Sequence, residues 1–96
     1  MKKTAKTKKS AVKLLDFTAS WCGPCQAMKP ILRKFEAAHP EMKVVCIDID
    51  RSRRKADTYD IRCVPTFVVE RDGEVVARAE GMRPLVALER LVAGRR

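Results

Sequence analysis

The sequence predicts an α/β fold, three layers deep, in which a four-stranded mixed sheet is covered by three helices in the order βαβαββα. Three observations predict it. Short runs rich in β-branched residues alternate with runs whose apolar positions recur at helical spacing. An Asp72-Gly73 pair separates two strand-like runs near the end, which gives the sheet an antiparallel hairpin. The chain has 96 residues, room for one core and no second domain.

Val12 to Phe17 is a short, largely apolar run that breaks off before Trp21-Cys22-Gly23-Pro24-Cys25, as a buried strand entering a loop does. From Pro24 the residues Met28, Ile31, Leu32, Phe35 and Ala38 mark one face of a helix of about four turns, which His39-Pro40 ends. Pro30 falls inside this helix. It removes a backbone donor and crowds the turn before it, so a bend is expected there and not a stop. Val44 to Ile49 reads as the second strand and Arg53 to Tyr59 as a short polar helix. Strand, helix and strand make one right-handed crossover unit. Pro65 precedes the strand Thr66 to Glu70, and Glu74 to Ala79 follows the hairpin turn. Leu85, Leu88, Leu91 and Val92 share a face of a last helix that begins near Pro84.

The formal charge of +9 is concentrated at the ends. Lys2, Lys3, Lys6, Lys8, Lys9 and Lys13 crowd the start without an acid among them, and Arg95 and Arg96 close the chain. Setting these eight aside leaves 13 basic residues against 12 acidic ones, so the body is near neutral. Residues 1–10 are expected to be a flexible lysine-rich arm and 11–96 the folded domain. Nucleic acid is not expected as a partner, because a basic arm without aromatic residues more often serves as a solvated tail. No apolar run approaches the roughly 20 residues of a membrane span. The basic start resembles the head of a secretory signal, but Lys13 and Asp16 interrupt the apolar stretch that should follow, so a cytoplasmic location is expected.

Cys22 and Cys25, two residues apart at a helix start, place both sulfurs where unpaired backbone donors and the helix dipole favour negative charge. Thiolate is the attacking species in disulfide exchange, so Cys22 reads as the attacking thiol and Cys25, one turn deeper, as the resolving one. The same spacing supplies half a zinc site. The remaining ligands are only Cys46, Cys63 and His39, with no second C-x-x-C, so no metal is expected. Cys46 and Cys63 fit core and near-site positions and read first as small buried hydrophobes, with Cys63 alternatively exposed beside the site. Asp16 is odd in an apolar strand: burial would raise its pKa, and the other reading is an exposed strand end.

Asp16-Phe17, Ala19, Trp21-Cys22-Gly23-Pro24-Cys25, Pro30, Val64-Pro65-Thr66 and Gly81 occur in an order that resembles the thioredoxin family over about residues 11 to 93. The resemblance implies a thioredoxin-like fold and a thiol–disulfide oxidoreductase that reduces protein disulfides and is recharged by a thioredoxin reductase. It implies no cofactor beyond the two cysteines, and a monomer. By the same resemblance Asp16 lies behind the cysteines and helps, through water, to move the proton of the resolving thiol. Pro65 is implied to be cis, leaving the Val64 backbone free to pair with substrate. Trp21, Gly23, Pro24, Val64, Pro65, Gly81 and Met82 would line the docking groove. Two departures stand out: Cys46 occupies the position where the family often carries a lysine near the aspartate, and only the lysine arm precedes the first strand, so a minimal form without the usual first strand and helix is expected. The rival readings are a dedicated electron donor to one partner, a binding module whose arm contacts nucleic acid or an acidic protein, and, last, a carrier of metal or clusters.

Overall fold

The computed structural model describes residues 11–94; the lysine-rich arm assigned to residues 1–10 lies outside the described residues. The elements are β1 (Val12–Thr18), α1 (Gly23–Ala38), β2 (Lys43–Asp48), α2 (Arg53–Thr58), β3 (Thr66–Arg71), β4 (Glu74–Glu80) and α3 (Leu85–Val92). The sheet order is β2-β1-β3-β4. β1 runs parallel to β2 and antiparallel to β3, and β3 and β4 form the expected hairpin. Asp72 and Gly73 both take positive φ, 54° and 87°. That pair of angles lets a two-residue turn follow the right-handed twist of its strands.

Alternation along β1 decides which residues meet which layer. Leu14 points into a core with Met28, Leu32 and Phe35 of α1, Phe67 and Val69 of β3, and Leu88 and Val92 of α3. Leu15 and Phe17 point the other way, into a smaller core with Ile47 and Val68, closed by Tyr59 and Ile61 beyond α2. Phe17, Phe35 and Phe67 are fully buried, each contributing about 1.5–3 kcal/mol on burial. His39 at the end of α1 meets Glu89 of α3 at 2.8 Å, tying the two helices on that face together. Helix α1 continues through Pro30. Pro84 stands one residue ahead of α3 as its cap, with extended ψ of 165°.

The larger correction concerns the two spare cysteines. Both are exposed. Among the described residues β2 is an edge strand, and Cys46 falls on its α1-facing side where the helix leaves openings beside Lys29. Cys63 sits in the loop before Pro65, with its sulfur 3.8 Å from the Thr66 hydroxyl.

Candidate active site

Strand β1 ends at Thr18, and the chain turns through Ala19 to Trp21 into helix α1, capped by Cys22. Cys22 and Cys25 are joined as a disulfide, with their Cα atoms 5.2 Å apart. The Cys25 amide donates to Cys22 Sγ at 3.1 Å. An amide aimed at that sulfur, at the positive end of a 16-residue helix, favours the thiolate once the disulfide is reduced. Both cysteines are largely buried, packed with Ala19 against Ile49 and Val64. Gln26 braces the turn by donating to the Ala19 carbonyl at 3.3 Å.

The Val64–Pro65 bond is cis. The Val64 carbonyl oxygen lies 3.7 Å from Cys22 Sγ. Pro65 itself is fully buried, so it positions the Val64 backbone and offers no surface of its own. Gly81 completes this corner: its amide donates to the Pro65 carbonyl at 2.8 Å, from a backbone with φ of 90°. A Cβ there would meet only the Arg83 side chain, at 3.9 Å, so the glycine is required by its conformation and not by space. Gly81→Ala is therefore expected to lower stability by about 1–2 kcal/mol, read as an earlier midpoint in urea unfolding.

Trp21 is 67% exposed and Met82 46%, large apolar side chains at the surface. Gly23 and Pro24 are exposed as well, in the turn between the cysteines. The Trp21 indole is moored, donating from Nε1 to Asp50 Oδ2 at 2.8 Å. Asp50 was not among the residues expected to matter, since 29 positions separate it from Trp21.

Asp16 faces α1 and is 6% exposed. Burial pushes its carboxyl up to about 6, while a hydrogen bond from Cys46 and the Lys29 ammonium pull it down. Cys46 is its directly paired neighbour on β2. Partial burial of the sulfur and then the Asp16 charge hold the Cys46 thiol above its ordinary value, so it is a protonated donor. A lysine acts on Asp16 from α1: Lys29 lies one helical turn beyond Cys25. It lines a cavity of about 190 Å³ with Asp16 and Cys46, and a second of about 240 Å³ with Gln26, Cys46 and Asp48. Its spacing from Cys25 was visible in the sequence; its approach to Asp16 depends on the pairing of β1 with β2.

The family model described as Thioredoxin matches residues 2–94. A thioredoxin of Bacillus subtilis is 39% identical over 90 residues, covering 93% of this chain and 86% of the relative. One of Chlamydia trachomatis is 36% identical over 84 residues, with 88% and 82% covered. Among solved structures, the oxidised mitochondrial thioredoxin 3 of Saccharomyces cerevisiae superposes with a TM-score of 0.82 at 35% identity, over 93% of this chain and 83% of that one.

Proposed function

Because the chain belongs to the thioredoxin family and is a thiol–disulfide oxidoreductase, we propose that Cys22 attacks and Cys25 resolves in its reduction of protein disulfides. The observation that carries this division of labour is the Cys25 amide on Cys22 Sγ at the head of α1. The Cys22 thiolate attacks one sulfur of the substrate disulfide and expels the other as a thiolate. Cys25 then loses its proton and attacks Cys22 Sγ in the mixed disulfide. The second substrate thiol leaves, and Cys22 and Cys25 are bridged, two electrons having passed to the substrate.

Asp16 serves as the acceptor for the Cys25 proton, acting through water, with Lys29 and Cys46 holding the carboxylate in balance. Trp21, Met82 and the Val64 backbone receive an extended segment of the substrate beside Cys22, with Gly23 and Pro24 forming the floor of the turn and Gly81 and Pro65 setting its edge. A thioredoxin reductase restores the dithiol, so the chain carries electrons from that enzyme to its substrates. It works as a monomer in the cytoplasm, where a reducing environment suits a surface with two free thiols, Cys46 and Cys63.

The test is dithiothreitol-driven reduction of insulin by the full chain and by Cys25→Ser. Turnover by the unaltered chain, with the variant accumulating a covalent Cys22–substrate adduct by intact mass, is the expected result. A folded, reduced chain that leaves insulin intact, or a variant that turns over without an adduct, would refute the assignment.

A further inference from the structure

Arg51, Arg53, Arg54 and Lys55 place four cations within five residues, on the loop from β2 and the start of α2. All four are exposed. Among the described residues none of their side chains has a hydrogen-bond or ion-pair partner. The neighbouring acids are engaged elsewhere: Asp48 Oδ1 accepts from the Asp50 and Arg51 amides at 2.8 and 3.3 Å, and Asp50 holds Trp21. Asp48 and Asp50 keep their charges on these neutral donors and Asp57 lies on α2, so residues 48–57 hold four cations against three acids, with the positive charge concentrated in 51–55.

The cluster is continuous with the redox site. Ile49 packs against Cys22 and Cys25, Asp50 anchors the exposed indole, and Arg51 follows directly. Arg54 and Lys55 also line a cavity of about 460 Å³ with Ser52, Thr58 and Tyr59; the Thr58 hydroxyl donates to the Arg54 carbonyl at 3.0 Å and the Tyr59 hydroxyl to Glu70, which leaves the two cations and Ser52 to meet an occupant. Such a recess fits a carboxylate side chain, which accepts hydrogen bonds and needs a positive neighbour.

We propose that Arg51, Arg53, Arg54 and Lys55 form a docking surface for an acidic patch on the protein whose disulfide is seated at Cys22. The inference rests on the redox reading above and adds a substrate class to it: disulfides flanked by Asp and Glu. Charges at the rim of a contact act mainly on encounter, steering a partner of opposite sign and losing effect as salt shortens their reach to about 8 Å at physiological strength. A protein partner is favoured over nucleic acid because Arg51 follows directly on Asp50, which holds the exposed Trp21 indole, and because the one aromatic residue of the cluster, Tyr59, is turned inward with its hydroxyl on Glu70.

The experiment compares the full chain with its Arg51→Gln, Arg53→Gln, Arg54→Gln, Lys55→Gln variant, which leaves the lysine-rich start unchanged in both. Each reduces three synthetic peptide disulfides, identical except for flanks of four Glu, four Gln or four Lys. At low salt the unaltered chain is expected to reduce the Glu peptide fastest and the Lys peptide slowest. The variant is expected to lose about tenfold on the Glu peptide, little on the Gln peptide, and most of its salt dependence. Equal rates of the two proteins on the Glu peptide, with good turnover on all three, would overturn the docking surface and leave the redox reading standing. Equal losses on all three peptides would assign the segment a structural role instead. Unchanged peptide rates with lost salt-sensitive binding to an RNA or DNA duplex would make it a nucleic-acid surface. Failure of the unaltered chain on all three would remove the redox reading and this one together.

Discussion

Cys22→Ser should abolish disulfide reduction, lowering turnover by at least about three orders of magnitude while leaving the fold intact. A serine hydroxyl at the head of α1 would still accept the Cys25 amide, because serine is a favoured helix cap. What it cannot supply at neutral pH is an anionic nucleophile able to form a covalent bond with sulfur that Cys25 can later break. The helix dipole and the aimed amide favour charge by a few kcal/mol at most, enough to ionise a thiol near neutrality and far too little for an alcohol. Measured as insulin reduction alongside thermal unfolding, the expected outcome is a folded, inactive chain. Residual turnover within tenfold of the unaltered protein would mean that Cys25 or the exposed Cys63 can attack unaided.

The second large effect belongs to Asp16→Asn and depends on pH. The carboxyl titrates near 3.8 in the unfolded chain and near 6 in the folded one, because burial outweighs the help of Cys46 and Lys29. An acid whose folded pKa is raised binds more protons in the native state between those values, so stability falls as pH rises from about 4 to about 6 and then levels. The difference corresponds to about 3 kcal/mol of penalty at neutral pH and above. Asp16→Asn carries no charge to bury, so it should be more stable than the native chain by about 2–3 kcal/mol at pH 8 and by little at pH 4. Urea unfolding at the two pH values reads this directly. The same substitution removes the proton acceptor assigned to Cys25, so resolution of the mixed disulfide should slow by about 10²-fold above pH 6. A variant that is stabilised at pH 8 but resolves at the native rate would leave Asp16 as a buried cost with no part in the chemistry.

The two periodicities made most of the fold legible. β1, α1 and the β3–β4 hairpin fall within a residue or two of where apolar spacing and Asp72-Gly73 put them, because each is a local signal. The active cysteines were legible for the same reason: the two-residue spacing and the helix that follows are contiguous in the chain. Cys46 was misread because an alternating strand does not announce whether it lies at the centre or the edge of a sheet. Its exposure follows from the order β2-β1-β3-β4, which no local pattern contains. Lys29 and Asp50 were missed on similar grounds, since each acts on a residue brought near only by tertiary pairing. The cis bond before Pro65 came from family resemblance alone; the residues around it give no physical reason to expect it.

Strand β1 is hydrogen-bonded on both sides, to β2 and to β3, and it carries Asp16 in its span and the cysteine turn at its end. In native-state hydrogen exchange such a doubly held strand belongs to the slowest class, released only when the whole molecule opens. The loops that meet substrate can therefore fray and re-form without parting the carboxyl from the turn it serves. This chain's chemistry is insulated from partial opening and ends with global unfolding.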